Sequence, residues 1–250
     1  MQYGICNLGI VPLRFEPSDP SEMVSQVLYG SHFKVLERRK KWSRIRIAYD
    51  KYEGWIDNKQ YVIITEEAYK TIQIQPLHLS RNLIDFVVTG NDQLLPIPLG
   101  SSLDNLHLLE HSYESQLIPT KVSRDHILST ALLFLNSPYL WGGMTPFGID
   151  CSGFTQMVYK LNGYKIRRDA SQQATQGEAL SFIEESEPGD LAFFDNTEGH
   201  IVHVGIIMED HYIIHAHGKV RIDRIDHSGI YNVDTNQHTH KLRVIKKVIP

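Results

Sequence analysis

The residues with the clearest chemical potential are a cysteine and two histidines that follow it along the chain. Cys151 comes directly after the loop Tyr-Leu-Trp-Gly-Gly-Met-Thr-Pro-Phe-Gly-Ile-Asp and opens the helical-looking segment Ser-Gly-Phe-Thr-Gln-Met-Val-Tyr. At a helix start, unpaired backbone N–H groups and the positive end of the helix dipole favour a thiolate. The same N–H groups can stabilise the oxyanion of an acyl-transfer intermediate. The pattern therefore indicates a cysteine nucleophile at position 151.

His203 and His215 can supply the base that such a nucleophile needs. His203 lies in the strand-like run Ile-Val-His-Val-Gly-Ile-Ile, and His215 lies in a second strand-like run further along. A hairpin that turns at position 209 makes the two imidazoles direct or near cross-strand neighbours. A nucleophile requires a base, and the base requires a third group that fixes its tautomer and orientation. We therefore expect His203 to be the base and His215 to be its orienting partner.

Two other interpretations of these residues stay open at this point. A lone cysteine is commonly a buried packing residue without reactivity. The chain also has 13 histidines, including the pairs His215/His217 and His238/His240 at strand spacing, and imidazole with thiolate suits zinc. Because the only other cysteine is Cys6 and the carboxylates are scattered, we expect no metal site, no cofactor and no disulfide framework.

The elements that must position these residues are predicted as helices first and strands second. One helix begins near Ser123 and stops at Pro138, and another follows Cys151 and ends at Asn162-Gly163, a natural left-handed cap. Strands are expected over residues 191–194, 201–208, 212–217 and 220–223. This order favours an α+β domain over residues 121–250.

The chain before this domain has a different pattern of apolar, polar and turn residues. Apolar and polar residues alternate over positions 44–49, which is typical of a half-buried strand, and Gly54 bends the chain into the next strand. Short strands with turn residues predict a small barrel over residues 1–65. Residues 66–120 mix strand-like pieces with a Pro/Gly segment at 95–100. We interpret them as a connector or as a degenerate second barrel.

Length, charge and composition exclude several classes of protein. A chain of 250 residues can hold two domains. Its net charge of -4 gives no reason to expect nucleic acid as a partner, and no stretch approaches the roughly 20 apolar residues of a membrane span. The first residues lack the basic and apolar regions of a signal peptide, and free cysteines suit a reducing compartment. We therefore expect a cytoplasmic monomer.

Three motifs that occur in this order resemble the NlpC-type cell-wall cysteine peptidases. They are Tyr-x-Trp-Gly-Gly followed by Asp-Cys-Ser-Gly-Phe, the Pro-Gly-Asp-Leu turn and strand, and His-Val-Gly-Ile followed by Ile-His-Ala. The resemblance covers residues 121–250 and implies a papain-like α+β core. Residues 1–65, mainly through positions 52–56, are similar to the bacterial SH3-like modules that precede this core in γ-D-glutamyl-L-diamino acid endopeptidases.

This resemblance implies a reaction and a set of site residues. The reaction is hydrolysis of the bond between γ-D-glutamate and a diamino acid, lysine or meso-diaminopimelate, in recycled murein tri- or tetrapeptides. The nucleophile, base and orienting partner are Cys151, His203 and His215. The substrate-binding positions are Tyr139 and Trp141 in the cleft, Asp150 and Ser152 at the N-terminal side of the peptide, and Arg168, which meets a substrate carboxylate or buttresses Asp150.

The resemblance also implies specificity for a free N-terminal L-Ala. In related enzymes the N-terminal barrel closes one end of the cleft and supplies an acidic residue for the ammonium group. Asp150 is one candidate partner for that charge. Glu53 at a barrel turn is the second, although a solvated turn carboxylate explains it equally well. A thiol acyltransferase or amidase on the same core, and a wall-peptide-binding protein without catalysis, are the alternatives.

Overall fold

A computed structural model describes residues 2–249, and their contacts group into two units. The first unit contains the chain up to Lys121 together with Trp141–Thr145, and the second contains Val122–Leu140 together with the chain from Pro146 onward. Both units consist mainly of antiparallel strands, with four short α-helices in the described residues. The expected α+β class therefore holds only in part, because sheet predominates. The boundaries expected at residues 65 and 120 stay predictions.

The first unit contains short strands, as its sequence predicts. They are β1 (Gln2–Ile5), β2 (Ile10–Arg14), β3 (Met23–Leu28), β4 (His32–Arg38), β5 (Trp42–Ile47), β6 (Glu53–Asp57), β7 (Val62–Ile64), β8 (Ile84–Val88), β9 (Leu94–Pro98) and β10 (Met144–Thr145). Strands β1 to β7 form one sheet in the order β3-β2-β6-β5-β4-β1-β7 around an apolar core. The alternation predicted for β5 is confirmed, because Ile45 and Ile47 are buried whereas Arg44 and Arg46 are exposed.

Residues 66–120 contain a helix that the sequence did not predict. Helix α1 (Glu66–Ile74) is capped by Thr65, whose hydroxyl accepts a hydrogen bond from the Ala68 N–H at 3.1 Å. Only Tyr69 and Ile72 of this helix are buried, so its apolar periodicity is weak. Strands β8 and β9 pair as an isolated hairpin over a small core that includes Val87.

The second unit provides the framework of the predicted chemistry. Its helices are α2 (Ile127–Leu132), α3 (Cys151–Leu161) and α4 (Ala170–Gln173), and its strands are β11 (Gly148–Ile149), β12 (Glu178–Leu180), β13 (Leu191–Asp195), β14 (Ile201–Ile207), β15 (Tyr212–His217), β16 (Lys219–Asp226), β17 (Gly229–Asn232) and β18 (Gln237–Lys247). The strands predicted over 191–223 are therefore confirmed as β13 to β16, whereas β12, β17 and β18 were not expected.

The sheet of the second unit closes on itself. Its strand order is β12-β18-β13-β14-β15-β16-β17, and β17 also pairs with β18, so that β13 to β18 form a ring. Because side chains alternate along a strand, Ile207, Ile213 and Ile225 share one face of β14, β15 and β16 and belong to one buried core. Helix α3 packs against β14 and β15, and α2 packs against α3.

Local end signals explain one helix well and another poorly. Helix α3 ends at Leu161 with Asn162 as its cap and Gly163 at φ +79°, as the sequence predicts. Helix α2 begins at Ile127 rather than near Ser123, whose N–H donates to the Asn162 carbonyl instead of opening a helix. Within residues 2–249, none of the helices has the length and apolar character needed to span a membrane.

Candidate active site

Cys151 is the first residue of α3, where the sequence places it. The preceding residue, Asp150, caps the helix: its Oδ1 accepts hydrogen bonds from the Gly153 N–H at 2.7 Å and from the Ser152 hydroxyl at 3.3 Å. Asp and Ser are preferred at such positions because their oxygens satisfy donors that have no partner within the helix. The Cys151 side chain is only 7% exposed. Its thiol is therefore fixed at the helix start and largely shielded from water.

Arg168 donates hydrogen bonds to two residues at this helix start, Asp150 and Ser152. Its Nη1 and Nη2 donate to the two carboxylate oxygens of Asp150 at 3.0 and 2.6 Å, and Nη1 also donates to the Ser152 hydroxyl at 2.9 Å. Arg168 is 1% exposed. Of the two roles that the resemblance implies for Arg168, the structure shows the contact that buttresses Asp150. This ion pair also compensates the Asp150 charge next to the thiol.

His203 and His215 lie on adjacent strands and are in contact. The register pairs Gly205 with His215 and Ile207 with Ile213, so the hairpin is centred on position 210 rather than 209. His215 is consequently the diagonal neighbour of His203, and their Nε2 and Nδ1 atoms are 2.8 Å apart. Both rings are buried. The predicted proximity of the two imidazoles is confirmed, with a register shifted from the expected one.

A carboxylate that the sequence analysis missed completes this row of side chains. Asp223 on β16 lies with its Oδ2 3.0 Å from Nε2 of His215. Arg221 donates to both Asp223 oxygens at 2.7 and 2.9 Å, and the Val233 N–H donates to Oδ1 at 3.1 Å. Asp223 is fully buried. The signal that could have found it is the second tight hairpin at Gly218, which brings the odd-numbered residues of β16 onto the face of His215.

The thiol and the imidazole both favour their neutral forms. Burial raises the pKa of Cys151 to about 12 and the nearby Asp150 carboxylate acts in the same direction, against hydrogen bonds with the Val204 and Ser152 backbones. Burial lowers the pKa of His203 well below its ordinary value, and the neighbouring imidazoles add to that effect. Burial therefore opposes the preference for thiolate that a helix start gives. The contact with Val204 places the sulfur beside the residue that follows His203.

Two further histidines surround His203. The ring of His240 on β18 stacks on His203 with a centroid distance of 4.2 Å, and His217 lies 6.4 Å from it. From the sequence these histidines are candidate zinc ligands, and His217 is alternatively a polar residue at the rim of its strand face. In the described part of the chain, no group of three histidine, cysteine or acidic side chains has an arrangement that could hold a metal ion. Burial lowers the pKa of His240 to about 4, with the charges of His215 and His217 acting in the same direction.

Tyr139, a predicted cleft residue, lies in the second unit. It forms a bridge with Ile149, and its N–H donates to the Gly218 carbonyl at 2.9 Å. Burial raises the pKa of its hydroxyl, and the charges of Cys151 and Asp150 raise it further. The bridge with Ile149 places Tyr139 beside β11, the strand that leads into α3.

Trp141 and Glu53 belong to the first unit. Trp141 is 60% exposed, and its Nε1 donates to the Glu22 carboxylate at 2.6 Å. The Glu53 carboxylate accepts hydrogen bonds from Arg44 at 2.7 Å and from Arg46 at 2.8 Å. Because two guanidinium groups already compensate its charge, Glu53 is a poor candidate for binding an ammonium group. The cleft role of Trp141 stays a prediction.

Comparison with known proteins agrees with both parts of the predicted resemblance. Residues 136–243 match the NlpC/P60 family, and residues 13–60 match the bacterial dipeptidyl-peptidase SH3 domain. The chain therefore contains an NlpC/P60 domain, which holds Cys151, His203, His215 and Asp223, and an SH3 domain on its N-terminal side. The recognition of an NlpC-type peptidase domain with an N-terminal SH3 module is confirmed.

Individual relatives extend the comparison over longer stretches. A γ-D-glutamyl-L-lysine dipeptidyl-peptidase of Bacillus cereus is 28% identical over 80% of this chain and 68% of its own length. A Bacillus subtilis protein of the same name is 40% identical over 41% of this chain and 36% of its own length. The crystal structure of an NlpC/P60 family protein from Bacillus cereus superposes with a TM-score of 0.78 at 20% identity, covering 99% of this chain and all of that one. It shows that the two proteins share a fold.

Proposed function

We propose that this protein is a cysteine peptidase that hydrolyses the γ-D-glutamyl–diamino acid bond of murein peptides. The observation that carries the proposal is the thiol of Cys151 at the start of α3, beside the buried row His203, His215 and Asp223. The names of the two Bacillus relatives support the substrate class. The helix that carries the cysteine and the closed sheet that carries the histidines support a papain-like description of the domain.

The first chemical step forms an acyl-enzyme. The Cys151 sulfur attacks the γ-carbonyl carbon of D-glutamate while a ring nitrogen of His203 takes the thiol proton, because the resting pair is neutral. Negative charge develops on the carbonyl oxygen. The Gly153 N–H is bound to Asp150 and the Ser152 N–H contacts the Cys151 sulfur, so the N–H of Cys151 is the donor we assign to this oxyanion.

The second step restores the enzyme. The His203 imidazolium protonates the departing amine of the diamino acid, and the C–N bond breaks. A water molecule then attacks the thioester carbonyl with His203 as the base, which releases the peptide carboxylate and the thiol. Tyr139 lies beside this centre and lines the side of the substrate nearest the helix start.

We further propose that the substrate has a free N-terminal L-Ala and that the enzyme acts on recycled peptides in the cytoplasm. The dipeptidyl-peptidase names of the relatives support removal of a terminal dipeptide. Both cysteines are free thiols, which suits a reducing compartment. We do not assign the ammonium contact to Glu53, because Arg44 and Arg46 occupy its carboxylate.

Mass spectrometry of defined peptides tests this function. The protein is incubated with L-Ala-γ-D-Glu-meso-diaminopimelate, with its L-Lys counterpart, and with N-acetylated copies of both. Release of L-Ala-γ-D-Glu from the free peptides, but not from the acetylated ones, is the expected result. Equal cleavage of acetylated peptides would disprove the terminal specificity. Transfer of the acyl group to an added amine instead of water would identify an acyltransferase.

A further inference from the structure

The carboxylate of Asp223 lies at the buried end of the row of active-site side chains. Its four contacts are all donors when it is ionised: Nε2 of His215, the Nε and Nη2 atoms of Arg221, and the Val233 N–H. Burial alone would raise the pKa of this carboxyl, but the hydrogen bonds from His215, Arg221 and Val233 outweigh burial and lower it. The ionised form of Asp223 is therefore favoured, and in that form it accepts hydrogen bonds only.

This constraint determines where the protons lie on both imidazoles. Since Asp223 accepts, His215 must carry its proton on Nε2, and the Nδ1 atom of neutral His215 is an acceptor. The Nε2 atom of His203, 2.8 Å from that acceptor, must then be the donor. Nδ1 is the only ring nitrogen of His203 that remains to accept the thiol proton. Each step follows from the single fixed charge at Asp223.

We propose that Asp223 is a positioning residue, which acts through His215 to hold His203 in the tautomer that can deprotonate Cys151. This inference rests on the proposed function of Cys151 and His203, and it adds a fourth side chain to them. Asp223 touches neither the substrate nor the sulfur. Its contribution is to make one of the two neutral forms of His203 dominant, as second partners of histidine ligands and bases do.

No other charged group in this neighbourhood can do the same. The ring of His217 on β15 contacts the His203 ring edge-on, and the ring of His240 on β18 stacks on it. Neither histidine brings a carboxylate to His215. Asp234 pairs with Nη2 of Arg221 at 2.8 Å. The Asp150 carboxylate pairs with Arg168. Among the described residues, Asp223 alone contacts an imidazole of the pair through a carboxylate.

The substitution Asp223→Asn is the most direct test of the positioning role. Of the three groups that contact Asp223, only His215 can change from donor to acceptor, so the amide NH₂ of the variant should face His215, and the bond from Arg221 Nε to that atom is lost. His215 then carries its proton on Nδ1, and His203 is forced to place its own proton on the nitrogen that faces the thiol. A matched control is Asp226→Asn on the same strand, because Asp226 forms a 2.9 Å contact with His238 that is exposed and lies outside the site.

Two readouts that need no murein peptide test the proposal. Nitrogen NMR of histidine-labelled protein reports the tautomers directly, and the unmodified protein should show His215 protonated on Nε2. The rate at which iodoacetamide alkylates Cys151 near neutral pH reports the base, and it should fall by about 10- to 100-fold in Asp223→Asn. The Asp226→Asn control should keep the original rate. With the peptide substrate, kcat should fall by a similar or larger factor with little change in KM.

The outcomes separate this inference from the proposed function. A His215 proton on Nδ1 in the unmodified protein would overturn the inference even if Asp223→Asn did not fold. An unchanged tautomer and an unchanged alkylation rate in a folded variant would overturn it as well. The predicted tautomer with the predicted loss of alkylation would support it. If those results were accompanied by no cleavage of any murein peptide, the positioning role of Asp223 would be supported and the proposed substrate class would be wrong.

Discussion

Replacement of Arg168 by methionine should destabilise the protein strongly, because it leaves a buried carboxylate without its counter-charge. The side chains of Arg168 and Asp150 are 1% and 8% exposed, and three hydrogen bonds from the guanidinium would be lost. Removal of one partner from such a buried pair costs about 3–5 kcal/mol of unfolding free energy. Lys70→Met is a suitable control, because its ion pair with Glu66 is largely exposed, and it should change the free energy of unfolding far less.

Urea unfolding at pH 7 measures these differences, provided that the dependence of the free energy on urea is the same in each variant. The double variant Asp150→Asn with Arg168→Met gives the decisive comparison. It removes both charges and keeps a good helix cap, since asparagine caps as well as aspartate. We expect it to be more stable than Arg168→Met alone by roughly 1–3 kcal/mol. A single variant that unfolds within about 1 kcal/mol of the unmodified protein would refute the buried-charge argument.

Three other perturbations have definite expected outcomes. Cys151→Ala should abolish peptide cleavage and leave the unfolding curve unchanged, and retained turnover would rule out this nucleophile. Gly205→Ala places a methyl group 2.7 Å from Ile213 and 2.9 Å from Cβ of His215, so kcat should fall by about 10- to 100-fold as His215 moves; unchanged kinetics would contradict that close approach. Burial lowers the pKa of His203, and that of His240 to about 4, so the unfolded chain binds more protons below the ordinary histidine pKa. Stability should therefore be complete above about pH 6.5 and fall as the pH drops below it, by up to about 1.4 kcal/mol per pH unit for each histidine. Urea midpoints at several pH values measure this slope, and His240→Gln should flatten it; an identical slope in that variant would disprove the contribution of His240.

Sequence reasoning succeeded where the signal is local. The bounds of α3 depend on an N-cap before Cys151 and a left-handed glycine after Asn162, and both are visible within a few residues. The strands that carry His203 and His215 are equally clear from alternation. By contrast, α1 has few buried residues, and β17 and β18 are recognised only through their pairing with β16, with β12 and β13, and with each other. Long-range pairing leaves little trace in a local pattern.

The same distinction explains which site residues were found. Cys151, His203 and His215 are marked by their own types and spacing. Asp223 is marked only by its register, since it joins His203 and His215 through a second hairpin, between β15 and β16, whose centre must be known as well as that of the first. The pKa of Cys151 depends on both kinds of information. A helix start is a local feature that favours thiolate, whereas the burial that opposes it depends on the packing of α3 against the sheet.

The position of Asp223, one imidazole away from the base, has a consequence for the chemistry. A carboxylate in direct contact with His203 would raise the pKa of that imidazole and favour a resting ion pair with the thiol. With His215 between them, the carboxylate still dictates the tautomer, but its charge lies farther from His203, whose pKa stays low. The base is then neutral and correctly oriented before the substrate arrives. Charge develops only when the thiol attacks, at the point where the Cys151 N–H at the start of α3 can stabilise the oxyanion.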